Sequence, residues 1–126
     1  RGIGIAERKW VFGSLWFDTR NKATLIWSEE LKYWVRVDPA TVGQYTGLKD
    51  EHGKEIYEGD VIRSPLSEDK TRPHRIFYHT GNAAFMGALV DRKELCYLRL
   101  DQDWIYKFGK EVIGNIHDNP ELLKNE

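Results

Sequence analysis

The sequence predicts a mainly β chain: an antiparallel meander, a small SH3-like barrel and a short C-terminal helical turn. Three observations lead there. Short runs rich in Val, Ile, Tyr, Phe and Trp recur between Gly, Asp, Asn and Ser clusters, at roughly the 8–12 residue spacing of sandwiches and barrels. Helix signals are confined to the extreme C-terminus. And the stretch from Thr41 to Ile62, T-V-G-Q-Y-T-G-L-K-D-E-H-G-K-E-I-Y-E-G-D-V-I, holds four glycines and two tyrosines around one clustered turn signal.

Taken in order, Lys9 to Phe17 alternates, with Trp10, Phe12 and Trp16 on one parity and Val11, Leu15 and Phe17 on the other. Apolar residues on both parities predict a strand buried on both sides or crossing between lobes, and Gly13 in its middle marks a bulge or a close backbone approach. The polar turn 18–22 leads into a strand over 23–27, the turn 28–30 into another over 33–37, and Asp38-Pro39 ends this meander because proline cannot donate to a ladder. Asp50-Glu51-His52-Gly53 separates a run ending at Leu48 from one beginning at Ile56, the pattern of a tight hairpin whose glycine takes positive φ. Gly59-Asp60 then opens a strand at Val61-Ile62. The polar segment 64–73 reads as an exposed loop. Thr80-Gly81-Asn82 joins strands over 75–79 and 83–90 in a second hairpin. Further strands are expected over 94–100, 104–108 and 111–116, for a total of roughly seven to nine. Asn119-Pro120-Glu121 supplies an N-cap, a proline at the first helical position and an acid in the first turn, so a short helix follows, pinned by Leu122 and Leu123. The passage from Gly59 through Val90 is what suggests the SH3-like barrel, by analogy of pattern.

The 126 residues suit one domain, 1–126, dividing, if at all, into sub-lobes at 1–40 and 41–126. A formal charge of −1 leaves no global field to draw the chain onto nucleic acid or an anionic membrane, so such binding needs a local patch. Cys96 is the only cysteine, which rules out an intrachain disulfide and a thiolate zinc cluster. It sits in the apolar run Leu95-Cys96-Tyr97-Leu98 and reads as a small buried hydrophobe. There is neither an apolar run of ~18 residues nor an export signal, so no membrane span is expected.

Three blocks carry a family resemblance. The first is T-V-G-Q-Y-T-G-L-K-D from Thr41 with G-K-E-I-Y-E-G-D-V-I from Gly53. The second is W-V-F-G-S-L from Trp10, and the third is E-V-I-G-N-I-H-D-N-P-E-L-L from Glu111. In this order they resemble the YopX family, which is encoded by bacteriophages and prophages. His117 stands where the family usually has tyrosine. The family also opens with a Met and a short strand ending F-R-G, whose tail Arg1-Gly2 resembles, so the first strand is expected to be missing and one sheet edge to look bare. The resemblance implies a phage gene product without an established biochemical activity and brings no catalytic residues, while the single cysteine fits a reducing setting, so the host bacterial cytoplasm is the expected location. It makes Gly43, Tyr45, Gly47, Asp50, Gly53, Tyr57, Gly59, Asp60, Gly114, Asn115, Asn119 and Pro120 the structural signature.

Chemistry-bearing groups are few. His74 and His79 are five apart, so on one strand they point to opposite faces and cannot chelate together; His52 and His117 lie elsewhere. Glu55, Glu58 and Asp60 cluster around Tyr57. They fit either a carboxylate metal or acid/base site, or a turn in which Asp60 holds backbone N–H groups, and the turn is the preferred reading. Nucleotide-loop motifs are absent and no cofactor is expected. Arg63, Lys70, Arg72, His74 and Arg75, close to Phe77 and Tyr78, are the candidate nucleic-acid contact, joining charge to aromatic stacking, although Glu68 and Asp69 dilute the cluster. Trp27, Trp34 and Trp104 are candidate protein-binding rings, with core packing as the ordinary alternative. The function expected is a non-enzymatic module binding a protein or nucleic-acid partner, with homo-oligomers open to it through exposed β-edges. The competing class is a small metal-dependent hydrolase or nuclease using the carboxylate cluster.

Overall fold

The computed structural model describes residues 1–64, 73–90 and 97–123. The chain forms two compact units, Arg1–Gln44 and Tyr45–Glu126. The three-stranded meander lies in the first unit and the larger sheet in the second.

In the first unit β1 (Gly2–Ile3) pairs antiparallel with β2 (Trp10–Val11). β3 (Gly13–Asp18), β4 (Ala23–Ser28) and β5 (Tyr33–Arg36) form a three-stranded antiparallel sheet in that order. Side-chain chemistry fixes both turns. Asp18 Oδ1 accepts from Arg20 N at 3.0 Å, and Asn21 Nδ2 donates to Oδ2 at 2.9 Å. Ser28 Oγ accepts from Leu31 N at 3.0 Å. Asp38 caps a 3₁₀ turn, Pro39–Thr41, by accepting from Ala40 N at 3.0 Å. A small core of Val11, Ile26, Val35 and Val37 closes the unit.

The segment 9–17 departs from expectation in two ways. It is two strands, not one, because Gly13 lies at φ 152, where an added Cβ would run into the Trp27 carbonyl oxygen. And β3 is buried on neither side: Leu15, Trp16 and Phe17 are all about half exposed. Among the described residues β3 is an edge strand, paired with β4 alone.

In the second unit β6 (Tyr45–Lys49) and β7 (Glu55–Tyr57) make the hairpin expected around Asp50–Gly53, with Gly53 at φ 82. A five-stranded antiparallel sheet follows, ordered β11-β10-β9-β8-β12. Its strands are β8 (Asp60–Arg63), β9 (His74–His79), β10 (Ala84–Leu89), β11 (Tyr97–Arg99) and β12 (Glu111–Asn115). Ile62, Ile76, Phe85 and Val112 share the face that packs on Ile56, Leu100 and Ile105. Each fully buried Ile contributes about 1.5–3 kcal/mol. Among the described residues the sheet is open, with β11 and β12 at its margins, so no closed barrel is present.

The strand expected over 104–108 is instead a helix, α1 (Gln102–Lys107). Asp101 is its N-cap, accepting from Trp104 N at 2.7 Å; Asp103 lies in the first turn, Lys107 in the last, and Gly109 follows at φ 59. Read as a bare turn, Asp101-Gln102-Asp103 hides a capping signal. The second hairpin also differs: the left-handed position belongs to Ala83, φ 49, after a 3₁₀ turn over Thr80–Asn82. The C-terminal helical turn is a 3₁₀ turn, Pro120–Leu123. Of the strand expected at 94–100, Tyr97–Arg99 is β11, while residues 94–96, Cys96 among them, and residues 65–72 of the 64–73 loop fall outside the described residues.

Candidate functional site

The signature residues build a corner of the second unit. Asp50, 2% exposed, is its centre. One carboxylate oxygen accepts from His52 N at 2.8 Å and Lys54 N at 2.9 Å, closing the hairpin. The other accepts from Val112 N at 3.1 Å, tying that hairpin to β12. Asp60, 1% exposed, accepts from Tyr57 N at 2.8 Å across the turn. Gly59, at φ 94, donates its N–H to Ile76 O at 2.8 Å, and its carbonyl accepts from Ile116 N at 2.9 Å. Asn115 Oδ1 accepts from His117 N and Asp118 N, while Asn119 Oδ1 accepts from Asn115 N at 3.2 Å and so leads the chain into Pro120. A side chain on Gly114 would collide with Asn119. Tyr45 and Tyr57 are a cross-strand pair with ring centroids 5.4 Å apart. Gly47, φ 85, sits where the β6–β7 register shifts. Gly43, in the first unit, exchanges both backbone bonds with Arg1 at 2.9 Å.

Here carboxylates hold backbone donors. Glu55 is exposed and accepts from the Tyr57 hydroxyl at 3.3 Å, Glu58 is half-buried, and Asp60 is turned inward. Among the described residues no three His, Cys, Asp or Glu side chains converge as a metal site needs. His52, exposed in the hairpin turn, meets Glu111 at 2.9 Å, and this hydrogen bond raises its pKa, with Asp50 and Glu51 adding charge in the same direction. Lys110 is buried with its Nζ 4.7 Å from the Trp104 ring centroid, and burial lowers its pKa.

The candidate nucleic-acid residues separate. Lys70 and Arg72 fall outside the described residues. His74 is buried on the core face, edge-on to Trp104 at 6.1 Å, and Tyr78 shares that parity, its ring against Phe85 at 5.1 Å. Arg75 lies on the opposite face, its guanidinium 5.2 Å from the Phe77 centroid. The register Val61↔Arg75 places Arg63 on that same face, and Phe77↔Met86↔Arg99 adds Arg99, which sequence reasoning missed. Its only signal was a cross-strand row, which no linear spacing displays. Arg99 also lines a hollow of about 320 Å³ with Asn82, Ala84 and Met86.

A third region stands out by exposure. In the first unit Phe12, Leu15, Trp16, Phe17, Leu31, Tyr33 and Trp34 each show four-tenths or more of their surface. The register puts Trp27 and Trp34 opposite each other and Trp16 on the same face. The Trp16–Trp34 and Trp27–Trp34 centroids are 5.5 and 5.6 Å apart. Of the candidate rings, Trp104 is half-buried and packed against the core, Trp27 half-buried and Trp34 displayed. The Trp16, Trp27 and Trp34 rings touch on one face, whereas Leu15, Phe17 and Tyr33 lie on the other, and a displayed aromatic cluster of this kind marks an interaction surface. Elsewhere in the unit, Ile3, Gly4, Ile5, Arg8, Asp38 and Pro39 line an open depression of about 500 Å³. Among the described residues no helix is long and apolar enough to cross a membrane.

A family model described as YopX protein matches residues 6–124, nearly the whole chain, and the chain belongs to that family. It is also similar to the crystal structure of protein EF1440 from Enterococcus faecalis, at 26% identity and a TM-score of 0.49, over 98% of this chain and 86% of that one. No curated protein matches it.

Proposed function

We propose that this member of the YopX family is a non-enzymatic binding module of phage or prophage origin. In this reading it works in the host bacterial cytoplasm and takes a protein partner on the three-stranded sheet of its first unit. The observation that carries the reading is the displayed tryptophan cluster: Trp16 and Trp34 are 51% and 43% exposed on a face that includes Trp27. Trp and Tyr dominate interface hot spots because they bury large area at low entropic cost. The signature corner supports the same reading from the other side, since its carboxylates are occupied by backbone donors.

The test is affinity capture with tagged protein in host cells, comparing wild type with a Trp16→Lys/Trp34→Lys double variant of unchanged circular dichroism. The reading expects partner capture to be lost in the variant; undiminished capture would sink it. A second reading rests on Arg63, Arg75 and Arg99 sharing one face with Phe77, an arrangement suited to single-stranded nucleic acid. It expects oligonucleotide affinity to fall steeply as salt rises and to weaken in an Arg75→Ala/Arg99→Ala variant. A flat salt response argues against it.

A further inference from the structure

The edge of the first unit's sheet narrows the choice of partner. Among the described residues β3 pairs with β4 alone, so its other flank presents strand backbone. Natural edge strands carry protection: lysine, proline, a bulge, or short length. β3 runs Gly-Ser-Leu-Trp-Phe-Asp for six residues with its one charge at the very end. Its apolar side chains are half exposed on both faces, Leu15 56% and Phe17 56% toward one, Trp16 51% toward the other. The Leu15↔Ile26↔Val35 register assigns Leu15 and Phe17 to the face of the small core. An added strand would therefore extend both layers at once.

We propose that the added strand is β3 of a second copy of this chain, antiparallel, about a two-fold axis through Trp16. The inference rests on the protein-docking reading above and names its partner. A two-fold that brings two copies of one strand side by side must be perpendicular to the sheet. It keeps faces matched, so the axis must pass through a residue or its like-parity equivalent. Four residues of β3 have strand on both sides and can serve as the centre, and centring on Ser14 pairs only Gly13 with Leu15 beside it. Centring on Leu15 sets Asp18 against Phe12, and centring on Phe17 sets Asp18 against Trp16. Centring on Trp16 sets Leu15 against Phe17 twice, Trp16 against Trp16, and Ser14 against Asp18. Only the last matches apolar with apolar and gives the carboxylate a hydroxyl donor, with no like charges opposed. Asp18 already accepts from Arg20 N, Asn21 N and Asn21 Nδ2, and a carboxylate has about four acceptor sites, which leaves room for Ser14.

The area sets the strength. Three large side chains about half exposed, with strand backbone, offer on the order of 300–400 Å² per copy. Stable interfaces bury about 800 Å² per partner, so the pairing is weak and concentration-dependent.

The experiment is sedimentation equilibrium from micromolar to millimolar protein, together with cysteine crosslinking in a Cys96→Ser background. Wild type is expected to shift from monomer to dimer with concentration, and Trp16→Lys, which opposes two lysines across the axis, to stay monomeric. Directly opposed strand residues have Cα atoms about 4.5–5.5 Å apart, within disulfide reach. Trp16→Cys is therefore expected to give an oxidised dimer and Ser14→Cys not to, since its own copy lies four residues along. Circular dichroism checks that each variant folds. A wild type monomeric throughout the range, or equal crosslinking at positions 14 and 16, overturns the proposal. If wild type is monomeric while partner capture is still lost in the Trp16→Lys/Trp34→Lys variant, the second copy is excluded and the protein-docking reading stands. If capture also persists there, both fall.

Discussion

The signature corner of the second unit and the three-stranded sheet of the first invert each other. In the corner, the groups that look chemical are buried: Asp50 and Asp60 are shielded from water and hold backbone N–H groups. In the sheet, the groups that look like core are exposed: Leu15, Trp16, Phe17 and Trp34 face solvent. A buried carboxylate that accepts several N–H bonds is structural, because its desolvation is offset by those donors. An exposed aromatic cluster has no such offset within the chain, and its stabilisation comes from whatever covers it. The turn reading of Asp60 agrees with its bond from Tyr57 N, whereas the apolar pattern of residues 9–17 pointed to a buried strand and the structure exposes it.

That contrast can be broken most directly at Asp50. Asp50→Ala removes three accepted bonds and leaves Val112, His52 and Lys54 donors unmatched, for an expected loss of roughly 3 kcal/mol in denaturant unfolding. A loss below about 1 kcal/mol would show that the corner is not held by its carboxylate. Gly59→Val is expected to cost about 2 kcal/mol, since φ 94 is a conformation that β-branched residues avoid. An unchanged melting temperature there would mean the turn tolerates a side chain. Leu15→Thr, on the exposed edge strand, is expected to move stability by no more than about 0.5 kcal/mol. A larger loss would make β3 part of a core after all.

The smallest effect concerns pH. His52 is raised above its ordinary value by Glu111, so its contribution is fully present below the unfolded value near 6.5 and is lost as pH rises through the raised one. The melting temperature should therefore decline slightly across that window in wild type and less so in Glu111→Gln. The site is exposed, and the shift should shrink with added salt. An identical pH profile in the two proteins would detach His52 from the corner.

Much of the architecture was legible in the residues themselves. Gly53 and Gly59 take positive φ, and Gly13 marks a place where strand backbone comes too close for a side chain. Asp18, Ser28 and Asp38 close their own turns, and local hydrogen bonds of this kind depend on neighbours in sequence. The helix at Gln102 was written there too, in Asp101 and Gly109, but Trp-Ile-Tyr reads equally as strand, and packing of Ile105 into the core decides between them. Three things were settled by the tertiary structure alone. One is that β3, among the described residues, ends up at an edge, and that its side chains are half exposed on both faces. Another is that His74 faces the core while Arg75 and Arg99 share the far side, a grouping that strand order creates from positions far apart in the chain. The last is that Asp50 reaches Val112, sixty-two residues away, which makes a hairpin residue the anchor of another strand. Turn chemistry is local and travels with the sequence; burial and strand order depend on which distant segments come to lie side by side.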